Sequence, residues 1–109
     1  MANSTRLITD VEYLVLQGLL QKPIHGYGLK KAVDALTDGG VKLSLATMYD
    51  TLHRLLGNGL IERLPDEGIE GRLRRAYRVT AQGDAAIAEK NRMLKQMLKV
   101  GSFALLPSK

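Results

Sequence analysis

Val41-Lys42-Leu43-Ser44-Leu45-Ala46-Thr47-Met48-Tyr49-Asp50-Thr51-Leu52-His53-Arg54-Leu55-Leu56-Gly57-Asn58-Gly59-Leu60-Ile61 reads as a short extended piece, a capped helix, a glycine stop and the start of a strand. Ser44 is a good N-cap, its hydroxyl placed to meet a free backbone N–H near Thr47. On a helical wheel Leu45, Met48, Leu52, Leu55 and Leu56 share one side, and Ala46, Thr47, Asp50, His53 and Arg54 lie opposite. Further on comes Arg72-Leu73-Arg74-Arg75-Ala76-Tyr77-Arg78, the most basic segment of the chain. An exposed helix followed by a basic hairpin is the layout of a winged helix-turn-helix, and it points to DNA rather than to catalysis.

The rest of the chain fits around that unit. Thr9 with Glu12 forms a capping box ahead of Val11, Leu14, Val15, Gly18 and Leu19, so a first helix runs to about Gln21 and Lys22-Pro23 ends it. His25-Gly26-Tyr27-Gly28 opens a second helix with Leu29, Ala32, Val33 and Leu36 on one face, closed by Thr37-Asp38-Gly39-Gly40. Val41 to Leu43 suits a small strand. Leu60–Leu64 and Arg74–Val79 read as two strands joined by a loop over 65–71, and Thr80 caps a long helix from Ala81 to about Phe103. The expected fold is mainly α with a small β-hairpin (α+β). It divides into a flexible arm over 1–8, a winged helix-turn-helix over 9–79, and a C-terminal dimerisation helix and tail over 80–109.

The totals agree. The chain has 109 residues, 45% of them apolar, and a net charge of +5, which suits one folded domain with a polyanionic partner. It has no cysteine, so disulfides and thiolate zinc sites are excluded. No apolar run approaches a membrane span, and residues 1–10 lack the apolar centre of a signal peptide, so a cytoplasmic location is expected. Gly26-x-Gly28 is only half of a dinucleotide fingerprint, and His25 and His53 lie on different elements. Neither a metal nor a cofactor is expected, and no nucleophile sits in a motif beside a base.

Four segments together resemble the PadR family of transcriptional regulators: Pro23-Ile24-His25-Gly26-Tyr27-Gly28, Leu43-Ser44-Leu45-Ala46-Thr47-Met48-Tyr49, Leu52-His53-Arg54-Leu55 with Gly59-Leu60-Ile61, and Arg74-Arg75-Ala76-Tyr77-Arg78-Val79-Thr80-Ala81-Gln82-Gly83. The resemblance implies a homodimeric winged-helix regulator, often a repressor and often released from its operator by a small-molecule effector. A single helix after the wing matches the shorter branch of the family. Three departures stand out: Ala46 where a glycine is usual, Asp50 where a proline is common, and no tryptophan at all. The family mode in which paired tryptophans sandwich a flat drug therefore cannot operate here.

The residues expected to contact double-stranded DNA are Ser44, Thr47, Tyr49, His53 and Arg54 on the third helix and Arg72, Arg74 and Arg75 on the wing. Arg54 has two compatible readings, a bidentate contact to guanine or an i,i+4 ion pair with Asp50. Ser44 can cap, donate to a phosphate, or both. Tyr49 can pack its ring inward while its hydroxyl reaches a phosphate, and Tyr27 can do the same or serve the core or a dimer contact. The wing is acidic at its tip (Asp66, Glu67, Glu70) and basic on its returning side, so the arginines are the candidates for phosphate or minor-groove contact.

Ile87, Leu94, Met97, Leu98 and Phe103 mark an apolar stripe on the last helix, opposite Arg92, Lys95 and Lys99. Pairing with a second copy would bury it, and two recognition helices about 34 Å apart would then read a palindromic site. A membrane-surface helix is the alternative for this stripe, disfavoured by few basic residues and almost no aromatic anchors. Two rival functions remain for the domain: a protein-interaction module, and a sequence-independent architectural DNA binder.

Overall fold

Thr9 and Glu12 cap one another reciprocally. The Thr9 N–H donates to the Glu12 carboxylate (2.8 Å), and the Glu12 N–H donates to Thr9 Oγ1 (3.1 Å). They open helix α1 over Asp10–Gln21. The computed structural model describes residues 7–21, 26–65, 67–69, 72–74 and 76–104, with backbone placement alone at 26–27, 67–69, 72–74 and 102–104. Most of the expected arm, and His25, lie outside the described residues. Ile8, placed by sequence in that arm, is instead buried in the core. It immediately precedes the N-cap, where an apolar residue staples the chain onto the helix.

Helix α2 spans Gly26–Leu36 and sends Leu29 and Val33 into the core, while Leu36 at its end stays exposed. The chain then turns through left-handed backbone at Asp38 (φ 53°) and Gly39 (φ 76°), and the Gly39 N–H donates to the Asp34 carbonyl (2.7 Å). The strand expected at Val41–Leu43 does not form, because no described segment pairs with it. The Val41 N–H is met by the Thr37 hydroxyl (3.1 Å), and Leu43 is buried.

Helix α3 covers Leu45–Gly57. Its end is a Schellman motif: the Leu60 N–H donates to the Leu55 carbonyl (3.0 Å) and the Gly59 N–H to that of Leu56 (3.1 Å). Gly59 takes the positive φ (76°) that this closure needs and that side chains resist. The buried arc is Met48, Thr51, Leu52 and Leu55. Leu45, expected on that side, is exposed, and Thr51 takes its share of the arc. Burial of Thr51 is tolerable because its hydroxyl donates to the Thr47 carbonyl (2.8 Å).

The wing begins with β1, Ile61–Arg63, which pairs antiparallel with β4, Tyr77–Val79; between them β2, Glu67–Ile69, pairs with β3, Arg72–Arg74. The loop expected over 65–71 is thus partly strand, since a ladder already started at the base can extend through residues of low intrinsic preference. The partners run Ile61↔Val79 to Arg63↔Tyr77, then Glu67↔Arg74 to Ile69↔Arg72, so the outgoing chain carries one more residue than the returning one between the two ladders. Pro65, which cannot donate to a ladder, stands at this interruption.

Helix α4, Ala81–Ala104, is capped by Thr80, whose Oγ1 accepts from the Gly83 N–H (3.1 Å) and donates to the Gly59 carbonyl (2.7 Å). The Thr80 N–H donates to the Leu60 carbonyl (3.0 Å). The turn after α3 and the start of α4 are thereby stitched together. Val15, Leu16 and Leu19 of α1 join Leu29, Val33, Met48, Leu52, Leu55, Ile61, Tyr77 and Ile87 in one core.

Candidate nucleic-acid interface

The core holds one face of α3 and leaves the other open. Ser44, Leu45, Ala46, Thr47, Tyr49, Asp50, His53 and Arg54 are all exposed. Of the five residues proposed from sequence on this helix, Ser44, Thr47 and Tyr49 are neighbours at its start, and His53 and Arg54 stand further along, toward its end. Ser44 Oγ accepts from the Thr47 N–H (3.0 Å) and donates to Thr47 Oγ1 (3.1 Å), so the two hydroxyls are committed to each other and to the helix end. Tyr49 is half-exposed rather than turned inward.

Arg54 does not pair with Asp50. Its Nε lies 3.5 Å from Glu12 Oε2 and its Nη2 lies 3.5 Å from Thr51 Oγ1. Glu12 is 1% exposed, so the acid that starts α1 is also the acid that holds the guanidinium on α3. A bidentate contact to guanine through Nε and Nη2 would have to give up both partners. The sequence marks Glu12 as a capping residue but gives no signal for this second role, which joins residues far apart in the chain.

On the wing, Arg72 and Arg74 stand across from Ile69 and Glu67. Arg75 and the side chains of Arg72 and Arg74 lie outside the described residues. Arg78 is engaged at the base, where its Nε donates to Glu62 Oε2 (2.9 Å) on the facing strand. Opposite charges on directly facing strand residues are the favourable arrangement.

Helix α4 changes character along its length. Ile87, expected in a dimer stripe, is 6% exposed in the chain's own core and is therefore not free for a partner. Lys90 is buried too, its Nζ 3.0 Å from Asp10 Oδ1, and the Tyr13 hydroxyl donates to Asn91 Oδ1. Beyond these ties Leu94 is half-buried, while Met97, Leu98 (70% exposed) and Val100 face outward. The side chain of Phe103 lies outside the described residues, as does the side chain of Tyr27. On the polar side Arg92 and Glu89 pair, and the guanidinium holds the Glu89 carboxyl below its ordinary value, by hydrogen bonding first and by charge second.

The described residues contain no cluster of His, Asp or Glu able to hold a metal ion, and no described helix is long and apolar enough to cross a membrane. What they do contain is a rigidly backed helix face beside a two-stranded wing, a shape that fits the major groove with a flanking backbone contact.

Comparison with known proteins agrees with that geometry. The model of the transcriptional regulator PadR-like family matches residues 15–89. Transcriptional regulator Rv3488 of Mycobacterium tuberculosis (strain ATCC 25618 / H37Rv) is 34% identical over 85 residues, covering 78% of this chain and 76% of that protein. A transcriptional regulator from Clostridium thermocellum, Cth-833, superposes with a TM-score of 0.77 at 26% identity, over 88% of this chain and 93% of that one. A PadR family transcription regulator from hypervirulent Clostridium difficile R20291 shares the fold, with a TM-score of 0.76 at 24% identity over 90% of this chain and 100% of that one.

Proposed function

The chain belongs to the PadR-like family of transcriptional regulators, and from that premise we propose that it is a cytoplasmic, homodimeric repressor that grips a palindromic operator. The observation that carries the proposal is α3 itself: capped at Ser44, backed by Met48, Thr51, Leu52 and Leu55, and exposed along its whole opposite face. Each protomer would seat that face in a major groove, with Ser44, Thr47, Tyr49 and His53 toward the DNA. Arg54, steadied by Glu12, would meet the backbone at the far end of the helix. Arg72, Arg74 and Arg75 would hold phosphates from the wing.

The partner helix is the natural cover for Leu94, Met97, Leu98 and Val100, since an apolar strip of this kind is costly in water and a two-fold axis buries it twice. In this reading residues 9–79 form the DNA-binding unit and 80–109 the dimerisation unit. Two copies would also double the positive charge that steers the protein to DNA. Release by a small-molecule effector completes the proposal and is supported by the family, with Met97 on the strip as an adaptable contact.

The test is fluorescence anisotropy on a duplex from upstream of the protein's own gene, beside a scrambled duplex and the Arg72/Arg74/Arg75→Ala variant, at two salt concentrations. A preference of about a thousandfold over scrambled DNA, lost in the variant, is the expected result. Equal, steeply salt-dependent binding to both duplexes would favour an architectural binder. No binding at low salt would favour a protein-interaction module.

A further inference from the structure

The end of α3 that would enter the groove first lacks the groups that read purines. Between Ser44 and His53 there is no Arg, Lys, Asn or Gln. Those are the side chains whose paired donors or donor–acceptor sets match the edges of guanine and adenine. Arg54 comes later, in the last turn, and is engaged with Glu12 and Thr51. The Thr47 hydroxyl accepts from Ser44, and a single hydroxyl lacks the paired donor–acceptor set that matches a purine edge.

What remains at the front of the helix is mostly hydrocarbon. Leu45 is 41% exposed and Tyr49, one turn on, is 50% exposed, with Ala46 exposed between their edge and Asp50. Single exposed apolar residues are ordinary, but two large ones at i and i+4 with an alanine beside them make a continuous patch.

The apolar group that the major groove presents on its base edges is the C5 methyl of thymine. We infer that α3 reads its operator chiefly through thymine methyl groups, packed against Leu45, Ala46 and Tyr49. The small side chain of Ala46 lets the helix settle, and Leu45 and Tyr49 flank the methyl from one edge. This rests on the operator-binding role proposed above and specifies its chemistry: a half-site fixed by the positions of its thymines, on either strand.

The experiment begins with selection of duplexes from a randomised pool by the full chain. The recovered site is then synthesised with thymine and with 2′-deoxyuridine, which removes the methyl group and keeps the base pairing. The expected result is thymines at fixed positions in each half-site and a loss of about fourfold in affinity per contacted methyl, about fifteenfold when both half-sites lose one. The Leu45→Ala variant, checked for unchanged circular dichroism, should show a smaller deoxyuridine penalty than the parent protein. A recovered site bound equally with either base would overturn the inference and leave the operator-binding role standing. A full deoxyuridine penalty retained by Leu45→Ala would also overturn it, since the methyls would then act through duplex shape. Recovery of no preferred sequence would remove the role and the inference together.

Discussion

The guanidinium of Arg54 reaches across from the third helix to Glu12, a carboxylate 1% exposed at the start of the first. Glu12 serves two neighbours at once, accepting from its own helix cap and from the helix proposed to face DNA. The charge that caps the start of α1 therefore also sets where one cation of α3 stands.

Removing that carboxylate should cost both things. Glu12→Ala is expected to lower stability by about 2 kcal/mol, from the lost cap and the broken charge-assisted contact. Glu12→Gln keeps an acceptor for the Thr9 N–H and loses the charge, so it should cost less stability while still weakening operator binding. Urea denaturation and anisotropy on the same samples separate the two effects.

Gly83 marks the tightest approach among the described glycines. A Cβ there would sit 2.2 Å from the Leu60 carbonyl oxygen and 2.6 Å from Val79 Cγ1, whereas one at Gly28 would meet nothing within 4 Å. Gly83→Ala should destabilise by about 3 kcal/mol or more, because a backbone atom cannot step aside. Gly28→Ala, in the first turn of α2, should stabilise by a few tenths of a kcal/mol and at most about 1 kcal/mol. Thermal melts of the two variants give opposite signs.

Asp50 carries its charge on the open face of α3, exposed and without a partner among the described residues. Near a duplex it repels phosphate. Asp50→Asn should tighten binding to any DNA severalfold and narrow the gap between operator and scrambled sequence. An unchanged ratio in anisotropy titrations would mean that Asp50 stands away from the duplex.

Leu98 is 70% exposed, so replacing it should leave the fold of one chain intact. Leu98→Glu on both partners would set like charges on the strip proposed to pair. Sedimentation should then show a monomer with an unchanged far-ultraviolet spectrum, and operator affinity should fall with the loss of the second half-site.

The Glu89 carboxyl should titrate below the ordinary carboxylate value and return to it in Arg92→Ala, as nuclear magnetic resonance can follow. Because its pKa is depressed in the fold, its stabilisation is present above the ordinary carboxylate range and fades as pH falls through the lowered value. Both side chains are exposed, so the effect should be small and should shrink further with salt.

Local chemistry was readable from the sequence wherever one turn of chain contains it. The Thr9–Glu12 box, the Ser44 cap and the glycine stop at Gly59 each involve neighbours within a few residues, and each stands where expected. The wheel of α3 gave an apolar side but not the arc that the core would claim, which depends on how α1 and α2 pack. Leu45 fell outside that arc and Thr51 inside it. Ile87 shows the same limit: an apolar stripe does not say where the core ends and a partner begins. The Glu12–Arg54 and Asp10–Lys90 pairs join residues distant in sequence, which no local pattern announces.

The stitching of Thr80 to Gly59 and Leu60 has a mechanical consequence. It fixes the base of α4 on the turn that ends α3, and Ile87, the Lys90–Asp10 pair and the Tyr13–Asn91 contact hold the first half of the helix against the core. The stretch from Asn91 to Ala104 reaches about 20 Å, so a sideways displacement of roughly 3 Å at its far end corresponds to a bend of about 9°. Were two copies to pair through α4 as proposed, a bend of that size would already change the distance between their two α3 faces.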